Sequence, residues 1–175
     1  MDTQKMVRLS LLVSLATVLS ILESQFTIPL LPWLKLGLAN IMTLIALTMY
    51  GAKAAITVAC IRALLAGIFG TLPMLAFSFS AALSSSTAMG VLYRISREKL
   101  SIVGLSVVGA IVHNITQLFV AFILLRLSHS SLLALTPFMV LFAVGSGIIT
   151  GFIARYINRT MNTQIRNSFA ARRNV

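Results

Sequence analysis

The sequence is dominated by apolar runs of about twenty residues, the length that an α-helix needs to cross a lipid bilayer. Hydrophobic residues make up 58% of the chain and charged residues only 10%, which is more apolar surface than a soluble core of 175 residues could bury. Charges and clusters of Pro, Gly and Ser divide the chain into six apolar stretches, at residues 7–26, 36–51, 53–70, 72–93, 101–125 and 135–157. We therefore predict an all-α, polytopic membrane protein, a bundle of six transmembrane helices over residues 1–160 with a basic cytoplasmic tail over 161–175.

The positive charges are distributed unevenly between the two sides that six spans define. An even number of spans places both termini on one side, and that side holds Lys5, Arg8, Lys53, Arg94, Arg97, Lys99, Arg155, Arg159, Arg166, Arg172 and Arg173. The other side holds only Lys35 and Arg126. Because cytoplasmic loops carry an excess of Lys and Arg, we expect a bacterial cell-membrane protein with both termini in the cytoplasm. The net charge of +11 then reflects topology, and we expect lipid rather than nucleic acid as its partner.

Polar residues lie at membrane depth in four of the predicted helices. At 1.5 Å per helical residue, Arg62 is about 13 Å beyond Lys53, near the middle of a hydrocarbon core about 30 Å thick. Measured from the same side, Asn40, His113 and Glu23 are each about 20–22 Å deep. Such groups must be buried against protein, paired or placed in a wet cavity. Their depths predict a pocket open toward the outer side of the membrane.

The spacing of these polar residues places several on shared helix faces. In the segment GAIVHNITQ, His113 and Gln117 are one turn apart, and Asn114 lies three residues before Gln117. Gly37 and Asn40 share a face of the second helix. The spacing therefore predicts one polar stripe on the fifth helix and a shared face on the second.

Two interpretations of the buried charges remain open. Lys35, Arg62 and a protonated His113 would face a single acid, Glu23, and an excess of positive charge in a pocket favours an anionic ligand such as a carboxylate or phosphate. In this interpretation Glu23 orients Arg62 or binds a substrate amine. Alternatively, Arg62 pairs with Glu23 and the amides satisfy one another, so that the polar network only holds the bundle together.

Three segments carry a resemblance to a known family: LPWLKLGLAN (31–40), the helix around Arg62, and LSVVGAIVHNITQ (105–117). Over roughly residues 7–155 the chain resembles the heptaprenyl diphosphate synthase component I family, also called the Gx transporter family. Its size and architecture are also similar to the substrate-binding S components of energy-coupling-factor (ECF) transporters. The resemblance implies functional positions at Lys35, Gly37, Asn40, Arg62, His113, Asn114 and Gln117.

The buried residues and the resemblance lead us to expect solute uptake, and a synthase subunit is the alternative. As an S-component-like subunit, the chain would take up a small anionic or phosphorylated solute or an isoprenoid-like compound, docked on a transmembrane coupling protein that bears ATPases. As component I, it would be a non-catalytic membrane subunit of a polyprenyl diphosphate synthase, with Arg94, Arg97 and Lys99 recruiting a soluble synthase.

The acidic residues argue against catalysis by this chain alone. Prenyl chain elongation uses aspartate-rich clusters that hold Mg²⁺ against a diphosphate, whereas the sequence contains one aspartate, Asp2. The single cysteine, Cys60, cannot form an internal disulfide or a cysteine metal site. We therefore expect no catalytic residues, no metal and no cofactor.

Overall fold

The computed structural model describes residues 3–25, 36–96 and 99–173, without the side chains of residue 162 and residues 165–173. This part of the chain is all helical and contains α1 (Thr3–Ser24), α2 (Asn40–Tyr50), α3 (Ala52–Ile68), α4 (Leu72–Ile95), α5 (Ile102–Leu124) and α6 (His129–Arg173). Helices α1, α4 and α5 and the His129–Met161 part of α6 are long and apolar enough to cross a membrane. The prediction of an all-α membrane protein is confirmed. Because α2 has only 11 residues and α3 has 17, six complete spans remain a prediction.

The largest difference from the predicted boundaries concerns α6. The apolar pattern predicts a start at residue 135, but the helix begins at His129 because the Ser128 hydroxyl accepts a hydrogen bond from the backbone N–H of Ser131 at 3.1 Å. At its other end, α6 continues to Arg173, so residues 161–173 are helical. The division at residue 160 stays a prediction.

Helix α2 lies in the centre of the bundle. Its buried residues are Ile41, Thr43, Leu44, Ile45, Ala46 and Leu47. It packs against α1, α3, α5 and α6, while the outer helices contact one another in the order α1, α3, α4, α5, α6. Helices α1 and α6 stand at the two ends of this order without an extensive contact between them. The ring of outer helices therefore has a gap between α1 and α6, which we call the seam, and α2 lies behind this gap.

The contact between α5 and α6 depends on two glycines. A Cβ atom placed on Gly147 would lie 2.7 Å from the Cα of Val107, and one on Gly151 would lie 2.8 Å from the Cα of Val103. Both helices can approach this closely because glycine has no side chain. The two glycines therefore serve helix packing within the chain.

The basic residues of the described helices gather at one end of the bundle. A Cβ atom on Gly90 would lie 2.8 Å from the Cβ of Ala52, so the C-terminal part of α4 is beside the start of α3. The start of α5 lies beside Gly151 in the same way. The cations at this end are Lys5, Arg8, Lys53, Arg94, Lys99, Arg155 and Arg159. Their grouping agrees with the predicted topology, whereas the cytoplasmic orientation of this end stays a prediction.

Candidate functional site

A small polar pocket lies at the other end of the bundle, between the start of α2 and the facing parts of α5 and α6. Its lining consists of Leu36, Gly37, Asn40, Ala110, His113, Asn114, Ser146 and Thr150. The structure thus brings together Gly37, Asn40, His113 and Asn114, four of the residues that the sequence singles out. The volume is about 10 Å³, room for about one water molecule, so the pocket is closed to any larger ligand in this conformation.

The polar stripe on α5 is buried, and part of it lacks hydrogen-bond partners. His113, Asn114 and Gln117 are 9%, 2% and 1% exposed. The Nδ1 atom of His113 lies 3.5 Å from the Ser85 hydroxyl on α4. In contrast, Nδ2 of Asn114 and both amide atoms of Gln117 have no partner. Buried polar groups are normally satisfied, since an unpaired one costs about 1–3 kcal/mol, so these amides are available to a ligand or water.

Asn40 faces α5 from the start of α2 and has only a weak partner. Its Nδ2 atom lies 4.0 Å from the sulfur of Met89 on α4, a contact much weaker than an amide hydrogen bond. One turn farther along α2, the buried Thr43 hydroxyl has no partner, and neither does the buried Ser20 hydroxyl on α1. Unsatisfied hydrogen-bonding capacity is therefore shared by several helices in this half of the bundle.

Glu23 fastens the last turn of α1 to the segment that leads into α2. The carboxylate is buried and accepts a hydrogen bond from the backbone N–H of Gly37. Gly37 has a φ angle of 80°, a left-handed conformation that glycine adopts without strain. This contact places Gly37 and the following Asn40 at the pocket.

Arg62 is buried in the middle of α3, as its depth in the sequence predicts. The residue is 4% exposed, its Nε atom has no hydrogen-bond partner, and its charge interacts with that of Glu23. It does not line the polar pocket, and neither do Glu23 and Gln117. Arg62 is therefore buried outside the lining of the pocket, within range of the charge on Glu23. Lys35 lies outside the described residues.

Sequence reasoning missed the hydroxyl side of the pocket. Ser146 and Thr150 line it from α6, and the Thr150 hydroxyl lies 2.9 Å from that of Ser106 on α5. The available signal was their spacing of four residues on the same helix as Gly147, which places both hydroxyls on one face. Ser85, the neighbour of His113, lies in a serine-rich run in which other hydroxyls, such as that of Ser86, bond back to their own helix.

Comparison with known proteins gives a family but no further relative. A family model described as heptaprenyl diphosphate synthase component I matches residues 12–157. The chain belongs to this family. The match begins within α1, covers α2 to α5 completely and ends within α6. All the residues that line the polar pocket lie within the matched range. No match was found among curated proteins or among solved structures.

Proposed function

We propose that this component I chain is a non-catalytic membrane subunit of a heptaprenyl or related polyprenyl diphosphate synthase. The observation that carries the proposal is the family match over residues 12–157. The sequence supports it, because Asp and Glu together number only three, too few for the carboxylate clusters that hold Mg²⁺ on a diphosphate. In this proposal a separate soluble subunit performs the chemistry and the membrane subunit holds it at the bilayer.

The basic end of the bundle supplies a surface for that soluble subunit. Arg94 at the end of α4, Lys99 before α5 and Arg159 on α6 are all exposed. No described residue at this end is acidic, so these charges are not neutralised by described neighbours. A concentration of one charge sign attracts an oppositely charged partner and speeds its association. We expect the catalytic subunit to present an acidic patch.

Charge reversal tests this docking directly. The protein is reconstituted in nanodiscs and titrated with the purified catalytic polyprenyl synthase subunit from the same organism. We expect the double variant Arg94→Glu with Lys99→Glu to weaken binding by about tenfold or more, since each reversed charge repels the acidic patch. Arg126→Glu, an exposed cation at the opposite end, is the control and should bind normally. Absence of binding by the wild type would contradict the proposal.

The buried polar cluster favours a second candidate function, binding and uptake of a small solute from the outer side. Nδ2 of Asn114, both amide atoms of Gln117 and Nε of Arg62 are buried without partners. Amide groups and a guanidinium together suit an anion that also has hydrogen-bonding groups, such as a carboxylate or a phosphate. Because the pocket is closed, a ligand requires α2 to separate from α5 and α6. A coupling protein with ATPases would then drive transport.

The two functions are separated by the small molecules that the protein retains. We would analyse gently purified wild type and Arg62→Ala by mass spectrometry. A compound that is present in the wild type and lost in Arg62→Ala supports solute binding. If neither protein retains a compound and the soluble synthase binds, only the synthase-subunit function is supported.

A further inference from the structure

The seam between α1 and α6 contains a cavity far larger than the polar pocket. Its volume is about 610 Å³, within the range of about 300–1,000 Å³ that is typical of small-molecule sites. The lining residues are Arg8, Leu11, Leu12, Leu15, Met42, Ile45, Met49, Tyr50, Ile157, Thr160, Met161 and Gln164. We call this cavity the seam groove. It opens at the basic end of the bundle and shares no lining residue with the polar pocket.

Three helices each contribute one regular face to the seam groove. Residues 8, 11, 12 and 15 of α1, residues 42, 45 and 49 of α2, and residues 157, 160, 161 and 164 of α6 follow three- and four-residue steps. A hydrogen bond of 3.2 Å from Nδ2 of Asn158 to the Thr48 hydroxyl ties α6 to α2 beside the groove. The groove is therefore defined by the helix arrangement rather than by one side-chain conformation.

The polarity of the seam groove changes along its length. Farther from the basic end its walls are apolar, formed by residues such as Leu15, Met42 and Ile45. At the end of the bundle the walls carry Arg8 and Gln164. An apolar channel with a cationic mouth matches an amphiphile that has a hydrocarbon tail and an anionic head.

Two cations are available at the mouth of the seam groove. The exposed Arg8 lies in its wall, and Nζ of Lys5 lies 5.9 Å from the centroid of the Tyr50 ring, another wall residue. Among the described residues, the one acid is Glu23, which lies four turns of α1 away from Arg8, so no described carboxylate neutralises these cations. Two adjacent cations suit a diphosphate better than a single charge does.

We propose that the seam groove binds the tail of a prenyl diphosphate, with Arg8 and Lys5 holding its diphosphate at the mouth. This inference rests on the proposed function, because a subunit of a prenyl diphosphate synthase is expected to bind an isoprenoid rather than a phospholipid. It adds a substrate site that the docking surface at Arg94 and Lys99 does not require. A membrane subunit with this groove would keep a hydrophobic intermediate beside the soluble enzyme.

The test is direct binding of radiolabelled farnesyl diphosphate to the protein alone, in nanodiscs of phosphatidylcholine. We expect saturable binding that Arg8→Gln weakens by about tenfold, the effect of losing one charge-assisted hydrogen bond. Lys53→Gln removes an exposed cation at the same end that does not line the groove, and should bind as the wild type does.

A second pair of variants tests the hydrocarbon part of the groove. Met49→Trp fills it and should abolish binding. Met74→Trp changes another partly buried methionine, on α4, that does not line the groove, and should have no effect on binding. Wild-type affinity in both Arg8→Gln and Met49→Trp would overturn the inference. It would also be overturned if phosphatidylglycerol displaced farnesyl diphosphate at equal concentration, since the groove would then bind anionic lipids in general.

The assay separates this inference from the function on which it rests. No synthase is present during the binding measurement, and docking of the catalytic subunit is measured separately. Normal docking without farnesyl diphosphate binding overturns only the groove assignment. Farnesyl diphosphate binding with the expected variant effects, but without docking, supports the groove and removes the synthase-subunit proposal.

Discussion

The carboxylate of Glu23, in the last turn of α1, accepts a hydrogen bond from the backbone N–H of Gly37, fourteen residues farther along the chain. This contact joins the end of α1 to the entrance of α2 although the intervening segment lies mostly outside the described residues. The same carboxylate is the acid whose charge acts on the buried Arg62. Glu23 therefore has both a structural and an electrostatic role in the half of the bundle that contains the polar pocket.

Removal of the Glu23 carboxylate should destabilise the protein. We expect Glu23→Ala to lower the free energy of unfolding by about 1.5–3 kcal/mol, because a buried charge-assisted hydrogen bond is lost and Arg62 loses its acid. Glu23→Gln keeps an oxygen that can accept from Gly37 and should cost less than Glu23→Ala. Unfolding in mixed detergent micelles measures both. Equal stability of the wild type and Glu23→Ala would show that the contact is unimportant.

The conformation of Gly37 should limit which residues can replace it. Its φ angle of 80° is left-handed, and nothing lies near a Cβ atom placed there, so only backbone strain opposes a side chain. We expect Gly37→Ala to cost about 1–2 kcal/mol, the strain of an L-residue in this region. Gly37→Asn should cost less, because Asn tolerates the left-handed region. Thermal unfolding would show which of the two variants is less stable. If Gly37→Asn destabilises the protein as much as Gly37→Ala does, backbone strain is not the cause.

Two nearby glycines of α6 should respond oppositely to alanine. Gly147→Ala forces a Cβ atom against the α5 backbone and should destabilise the bundle by about 1–3 kcal/mol. Gly145, two residues earlier, has open space around it, and Gly145→Ala should stabilise the helix by about 0.5–1 kcal/mol. The comparison requires both unfolding curves under one condition. If both variants lower the free energy of unfolding by a similar amount, the effect does not come from the close packing of Gly147 against α5.

The unpartnered Nδ2 atom of Asn114 on α5 should lower the stability of the protein while it is available to a ligand. Asn114→Leu replaces a buried polar group that has an unsatisfied Nδ2 with an apolar side chain, and should raise the free energy of unfolding by about 1–3 kcal/mol. Ser106→Ala, which removes a hydroxyl 2.9 Å from that of Thr150, is the contrasting variant and should be destabilising. If Asn114→Leu is also destabilising, the Asn114 amide already has a hydrogen-bond partner in the membrane and is not available to a solute.

Much of the fold follows from the sequence because hydrophobic length and charge position are local properties. The six apolar stretches correspond to α1 to α6, and the cations assigned to one side lie at one end of the bundle where described. The start of α6 was missed because a serine cap at residue 128 begins the helix before its apolar pattern does.

The site was predictable only where one helix face carried the information. His113 and Asn114 share α5, and the sequence placed both in the polar pocket region. It could not show that Arg62 lies outside the pocket lining, nor that the Glu23 carboxylate accepts a hydrogen bond from the backbone of Gly37, because both depend on how separate helices pack. The seam groove was equally hidden, since three ordinary helix faces form it only when α1 and α6 stay apart.

Enzyme activity is the measurement that decides whether this chain is a membrane subunit of a polyprenyl diphosphate synthase. The measurement is incorporation of labelled isopentenyl diphosphate by the purified catalytic subunit, with nanodiscs that are empty, carry the wild type, or carry Arg94→Glu with Lys99→Glu. We expect faster incorporation or longer products with the wild type, and values near those of empty nanodiscs with the variant. Identical rates and product lengths with wild-type and empty nanodiscs would contradict it.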